Sequence, residues 1–288
     1  TNHESTLQYV FGEKFSKVFD YILIFFLFGI AVTMIAGAGA TFEESYNIPT
    51  WLGALIMTLA IYITLLLDFN KIVRALGIVT PFLIVLVVLI AGVYLFKGHV
   101  SLAEVNQVVP EASIWKGIWF GTIYGGLAFS VGFSTIVAIG GDTEKRTVSG
   151  AGAMYGGIIY TVLLALINFA LQSEYPTIKN ASIPTLTLAN NIHPLIATVL
   201  SVIMLAVMYN TILGLMYSFA ARFTEPYSKN YHIFIIIMMV AGYLLSFVGF
   251  AELINKLYTI MGYVGLFIVV AVIIKYFKRK NADKKHIA

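Results

Sequence analysis

The stretch Ile114-Trp-Lys-Gly-Ile-Trp-Phe-Gly-Thr-Ile-Tyr-Gly-Gly-Leu-Ala-Phe-Ser-Val-Gly-Phe-Ser-Thr-Ile-Val-Ala-Ile139 carries a single charged side chain, Lys116, near its start. As an unbroken α-helix it would extend about 39 Å, longer than the roughly 30 Å of hydrocarbon in a bilayer. Its first half sets Gly117, Gly121 and Gly125 at four-residue spacing, which places three glycines on one face and suits the close approach of another helix. Its second half, from Gly125 to Thr135, gathers poor helix formers: Gly132 together with the hydroxyls of Ser130, Ser134 and Thr135. Such groups can satisfy backbone released by local unwinding, and unwound backbone at membrane depth survives only against protein or a water-filled cavity. Half-helix amino termini there would face anions, and freed carbonyls would face cations. The alternative is an intact, tilted helix whose small residues simply pack closely.

Working outward, seven further apolar stretches give eight expected spans: 19–40, 50–67, 72–96, 114–139, 150–171, 194–221, 233–250 and 257–277. Fourteen of the 18 Lys and Arg residues fall on one set of alternating connections and the two ends, leaving only Lys97, Lys116, Lys179 and Lys256 on the other. The positive-inside rule therefore expects both termini in the cytoplasm. At 59% hydrophobic residues, 11% charged and a mean hydropathy of +0.89, the chain cannot coat a soluble globule. An all-α, polytopic helix bundle over residues 1–288, a single transmembrane domain, is the expected fold class. The net charge of +4 invites a nucleic-acid partner, but the basic excess is already explained by orientation. With no cysteine, disulfides, thiolate metal sites and cysteine nucleophiles are excluded.

Thr1 is not an initiator, so the sequence is expected to begin partway through a longer protein. Pro81 predicts a kink at the carbonyl of Gly77. A short surface helix is expected over 102–109. A second is expected over 182–191, with Ser182 capping and Pro184 in the first turn, as a gate or as a lid on exposed backbone. Spans one to three and six to eight can be compared as triplets. Corresponding members lie five spans apart and so run in opposite directions, the geometry of an inverted repeat.

No Asp, Glu, Lys, Arg or His sits near the middle of any span, which argues against a titratable proton relay or a voltage sensor. Neutral polar groups remain. In span six, Asn210 and Thr211 follow Tyr209, and their oxygens suit a hard cation such as Na+, with interhelical hydrogen bonding as the alternative. In span one, Thr33 and Met34 precede the small-residue run Gly37-Ala-Gly-Ala40, where close packing is the default. Tyr124 is a further candidate for lining a cavity. The motifs HExxH, GxSxG and GxxxxGK[ST] are missing, so no enzymatic activity and no resident cofactor are expected.

The runs Tyr9-Val-Phe-Gly12, Phe26-Leu-Phe-Gly29, Met34-Ile-Ala-Gly-Ala-Gly39 and Phe42-Glu-Glu44 resemble YkvI-type bacterial membrane proteins. Val79-Thr-Pro-Phe82, the stretch from Ile183-Pro-Thr185 to His193-Pro194, and Tyr209-Asn-Thr211 extend the resemblance over most of the chain. Such proteins resemble the amino acid–polyamine–organocation superfamily, with its LeuT-type fold of ten helices in two inverted halves. The resemblance implies that span one corresponds to the family's third helix and span eight to its tenth, the first two helices having no counterpart here. It also implies that span four is the family's second broken helix, with unwinding over 129–134. Span six would be the helix that offers an ion two hydroxyls in sodium-coupled members, a pattern from which Asn210 departs.

The expectation is a secondary transporter of a small organic solute, an amino acid being one class, in the bacterial plasma membrane. Spans four and five would rock against spans one and six, with Na+ as the conceivable coupling ion. Solute would contact Tyr124, Phe129, Ser130, Val131, Gly132, Phe133, Ser134, Thr33 and Met34, and the ion Asn210 and Thr211. The expected partners are the lipid bilayer and the solute, with a homo-oligomer left open. A non-transporting sensor or structural subunit on the same fold is the alternative.

Overall fold

The computed structural model describes residues 3–67, 78–97, 113–143 and 145–287, and every regular element within them is helical. In chain order these are α1 (His3–Phe11), α2 (Glu13–Tyr46), α3 (Thr50–Leu65), α4 (Val79–Lys97), α5 (Ile114–Asp142) and α6 (Arg146–Ser173). There follow α7 (Tyr175–Ile178), α8 (Pro184–Ile192), α9 (Pro194–Ala220), α10 (Lys229–Ser246), α11 (Phe250–Leu253), a π-helical turn (Ile254–Tyr258) and α12 (Thr259–Ile287). Among the described residues, α2, α4, α6, α9, α10 and the stretch Phe250–Lys278 are long and apolar enough to cross a membrane, while α3 is equally apolar but only 16 residues long. Where they are described, the expected apolar segments are largely helical, because a chain in hydrocarbon must bond its own amides.

Local chemistry sets the boundaries. Gly12 takes φ +81° and donates its amide to the Gln8 carbonyl at 2.8 Å, closing α1 in a left-handed cap. Asn47, at φ 54°, does the same for α2 by donating to the Glu43 carbonyl at 3.1 Å. Pro81 falls in the first turn of α4, where an amide would have no intrahelical partner. The expected kink at Gly77 and the expected helix over 102–109 lie outside the described residues.

The chain forms two compact units: Thr1–Phe26, Ser113–Tyr155 and Ile254–Ala288 make one, and Leu27–Ala112 and Gly156–Leu253 make the other. In the first, α5 and α12 run against each other backbone to backbone. A Cβ added at Gly265 would lie 1.8 Å from the Gly126 carbonyl oxygen, and one at Gly126 would lie 2.3 Å from the Gly262 carbonyl oxygen. Phe11, Phe19 and Phe267 stack beside this pair, with centroids 4.4, 5.9 and 5.5 Å apart.

In the second unit, Ala31, Ile35 and Ala38 of α2 meet Met57 and Ile61 of α3, Ile212 and Met216 of α9, and Tyr231 and Ile235 of α10 in one buried core. A second core joins Ile90 and Tyr94 of α4, Ala170 of α6, Leu186 and Leu188 of α8, and Leu200 of α9. The small-residue run in span one does pack closely, since a Cβ at Gly39 would lie 2.6 Å from the Thr50 carbonyl oxygen.

One expectation for span four is overturned. The helix α5 is continuous from Ile114 to Asp142, with no break over 129–134. Ser130 donates its hydroxyl to its own helix, at 2.9 Å from the Leu127 carbonyl, and sets its Cβ against Gly265 of α12. The segment stays helical because it is held by packing at the depth where unwinding was expected. The Gly117, Gly121 and Gly125 ladder makes no close packing among the described residues, whereas Gly126, one position along, does. Replacing Gly265 with alanine should therefore destabilise the protein by about 2 kcal/mol or more, because the methyl must drive two backbones apart. Gly121→Ala should leave it unchanged or up to about 1 kcal/mol more stable. Thermal unfolding in detergent reads both, and equal shifts would contradict this packing.

Candidate functional site

The sequence-predicted residues divide between the two units. Tyr124, Phe129, Ser130, Val131, Gly132, Phe133 and Ser134 belong to the first; Thr33, Met34, Asn210 and Thr211 belong to the second. On α5, Phe133 is buried, Phe129 is half-buried with its ring centroid 5.7 Å from that of Phe133, and Tyr124 and Val131 are exposed. Gly132 has only the Ile136 side chain near the space a Cβ would take. The Ser134 side chain lies outside the described residues. Because α5 is an intact helix, its mid-span amides are spent internally, and no half-helix dipole is offered to a substrate carboxylate.

In the second unit, Thr33 is fully buried and donates to the Gly29 carbonyl at 3.0 Å, while Met34 packs on the edge of the core. Thr211 likewise donates to the Val207 carbonyl, at 2.8 Å. The hydroxyl of Tyr209 pairs with that of Thr64 on α3, so the polar cluster of α9 does tie two helices together. Asn210 is different. Its Oδ1 is buried and has no hydrogen-bond partner among the described residues. A buried, unsatisfied carbonyl oxygen costs roughly 1–3 kcal/mol, and an acceptor of that kind is a ready ligand for a hard cation.

A concave feature lies elsewhere in this unit, at the end of α2. A cleft of about 470 Å³ is lined by Glu44, Ser45, Thr177, Thr187, Asn190 and Thr198, together with Ala181, Leu186, Pro194 and Ala197. Its wall is α8, and here the structure corrects the expected cap. Ser182 does not cap α8. Its amide and that of Ile183 instead donate to Glu44 Oε1, at 2.7 and 3.0 Å, so the carboxylate of a distant helix closes the amino terminus of α8. Pro184 does occupy the first turn. On its other side the Tyr94 hydroxyl donates to the Leu188 carbonyl at 2.9 Å. Thr177 and Thr198, which line the cleft, donate their hydroxyl protons to the Glu174 and Pro194 carbonyls.

Sequence reasoning missed this cleft. The signals available were the Glu43-Glu44 pair at a helix end and the hydroxyl- and amide-rich run 182–191. Glu44→Ala should cost about 1–2 kcal/mol and raise amide exchange at Ser182 and Ile183, whereas Glu44→Gln, which retains an acceptor oxygen, should cost less. Hydrogen–deuterium exchange across 180–192 measures this directly.

Over 280 residues the chain is 25% identical to the uncharacterized membrane protein YkvI of Bacillus subtilis (strain 168), which covers 95% of this chain and 78% of that protein. With the uncharacterized protein YyaD of the same strain it shares 24% identity over 281 residues, 95% of this chain and 79% of that one. No protein-family model and no solved structure matches the chain. The chain is similar along nearly its whole length to a YkvI-type membrane protein.

Proposed function

We propose that this protein is a secondary active transporter of a small organic solute, an amino acid in the first instance, working by alternating access. The observation that carries the reading is the hydroxyl-, amide- and carboxylate-lined cleft beside α8, in a protein whose helices are otherwise apolar. Its volume suits a solute of amino-acid size, and its polar lining suits hydrogen bonding to a hydrated molecule leaving water. The wall α8 is held by the Glu44 carboxylate and the Tyr94 hydroxyl and by the burial of Leu186 and Leu188, and we take it as the element that would move during a cycle.

The same reading takes all eight apolar segments as spans, both termini as cytoplasmic, the plasma membrane as the site, and the LeuT-type inverted repeat as the scaffold. The cleft then opens on the outer side. Coupling to Na+ is drawn from Asn210, whose buried Oδ1 has no hydrogen-bond partner among the described residues. The continuous α5 favours a second reading, a sensor or structural subunit that binds solute without moving it, because the fold's broken-helix passage is missing at that position.

Flux in proteoliposomes separates the two. Accumulation of a labelled amino acid driven by an imposed Na+ gradient is the expected result; saturable binding without accumulation would transfer the assignment to the sensor. A companion measurement concerns Asn210 alone. Asn210→Leu should raise stability by about 1 kcal/mol in Na+-free buffer, since it removes an unpaired acceptor. It should also abolish any stabilisation that Na+ gives the wild type. A thermal shift with and without Na+ tests both halves.

A further inference from the structure

The net charge of +4 is not spread over this molecule. Residues 1–20 and 275–288 hold eight Lys and Arg against four Asp and Glu, while the rest of the chain holds ten of each sign. The whole excess therefore belongs to the two chain ends, and the first unit brings those ends together. Lys275 Nζ lies 4.9 Å over the ring of Tyr9 in α1, and Phe267 stacks on both Phe11 and Phe19. Lys14 and Lys17, in the first turns of α2, thus share one end of the unit with Lys275 and Lys278 of α12. Lys14, Lys17 and Lys278 are exposed. The helix α12 continues to Ile287 and carries Arg279, Lys280, Lys284 and Lys285 along about 15 Å beyond Phe277. The acidic residues of this end are Glu4, Glu13, Asp20 and Asp283.

The neighbours of these lysines decide what the surface fits. Phe15 is 67% exposed, Tyr21 57%, Tyr276 61% and Phe277 55%. Large aromatic side chains interleaved with exposed lysines at the end of apolar helices match the boundary between headgroups and hydrocarbon. A soluble polyanion would leave those aromatics in water.

We propose that the joined chain ends form an interaction surface for anionic phospholipid headgroups in the leaflet they face, a role separate from solute handling. The naming of the cytoplasmic leaflet rests on the topology proposed above; the headgroup preference does not. Attraction of this kind falls off within a Debye length and is weakened by salt.

The test uses the full chain in bilayers of phosphatidylcholine containing phosphatidylglycerol, with spin-labelled versions of each lipid reporting residence at the protein surface. The wild type should prefer phosphatidylglycerol, and 1 M salt should remove most of that preference. Lys14→Gln, Lys17→Gln and Lys278→Gln combined should lower it by roughly threefold or more. The same three positions changed to Arg should retain it, which separates lost charge from lost folding. Lys97→Gln with Lys179→Gln, both in the second unit, should change nothing. An absent preference, an equal loss in the Lys97 and Lys179 control, or full displacement of the lipid by millimolar inorganic phosphate would overturn the proposal. Labelling of Asn2→Cys in this cysteine-free chain by an impermeant maleimide tests the leaflet separately, so a failed topology and a failed lipid preference give different results.

Discussion

Contact between the backbones of α5 and α12 is the constraint on which the first unit depends. In hydrocarbon, two apolar helices gain nothing by hiding from lipid, so their association rests on how closely they approach. Gly126, Gly262 and Gly265 leave their own positions free of Cβ atoms at the crossing, where Ile123 and Ser130 of α5 and Leu266 of α12 lie directly against them. At such separation Cα–H groups reach facing carbonyls, a weak interaction individually but repeated along the contact. Unwinding α5 here would expose amides that lipid cannot satisfy and would break this contact as well. Gly126 and Ser130, both within the stretch read as a break, instead seat α5 against α12 as an intact helix.

A related rule operates in the second unit. Gly37, Gly39 and Gly53 sit where a methyl would meet Phe250, Thr50 or Phe42, and they let α2 settle onto its neighbours. The cleft follows different physics. There the chain turns, and the amides of Ser182 and Ile183 fall outside any helical ladder, so they must find an acceptor. Glu44 supplies it, and the charge suits the positive end of α8. The carboxylate therefore shapes the cleft.

Much of this fold is legible in the sequence, because a run of about 20 apolar residues has few alternatives to a helix. The segments behind α2, α6, α9 and α12 were clear on that ground alone, and Pro184 marked the start of α8. The choice of glycine face on α5 was not legible. Gly125 and Gly126 are adjacent, their faces differ by about 100°, and only the partner helix selects between them. The cap on α8 was hidden for a related reason. Ser182 satisfies the local capping rule, but the acceptor that fills the role lies 138 residues away. The cleft inherits that difficulty, since its wall and its carboxylate come from segments that no local pattern connects.

The threonine hydroxyls of the helices are absorbed by the helices that carry them. Thr33, Thr41, Thr58, Thr64 and Thr211 each donate to the carbonyl four residues earlier in their own helix. Bonded this way, a threonine stays within its helix without needing a partner across the interface. It also keeps its lone pairs, so Thr211 retains the capacity to accept or to coordinate. An amide has no such internal solution. Asn210, the residue before Thr211, has a buried carbonyl oxygen with no hydrogen-bond partner among the described residues, and such a group calls for an explanation. Polar residues in a membrane bundle are thus informative according to whether the helix can absorb them, and on α9 the asparagine is the one it leaves over.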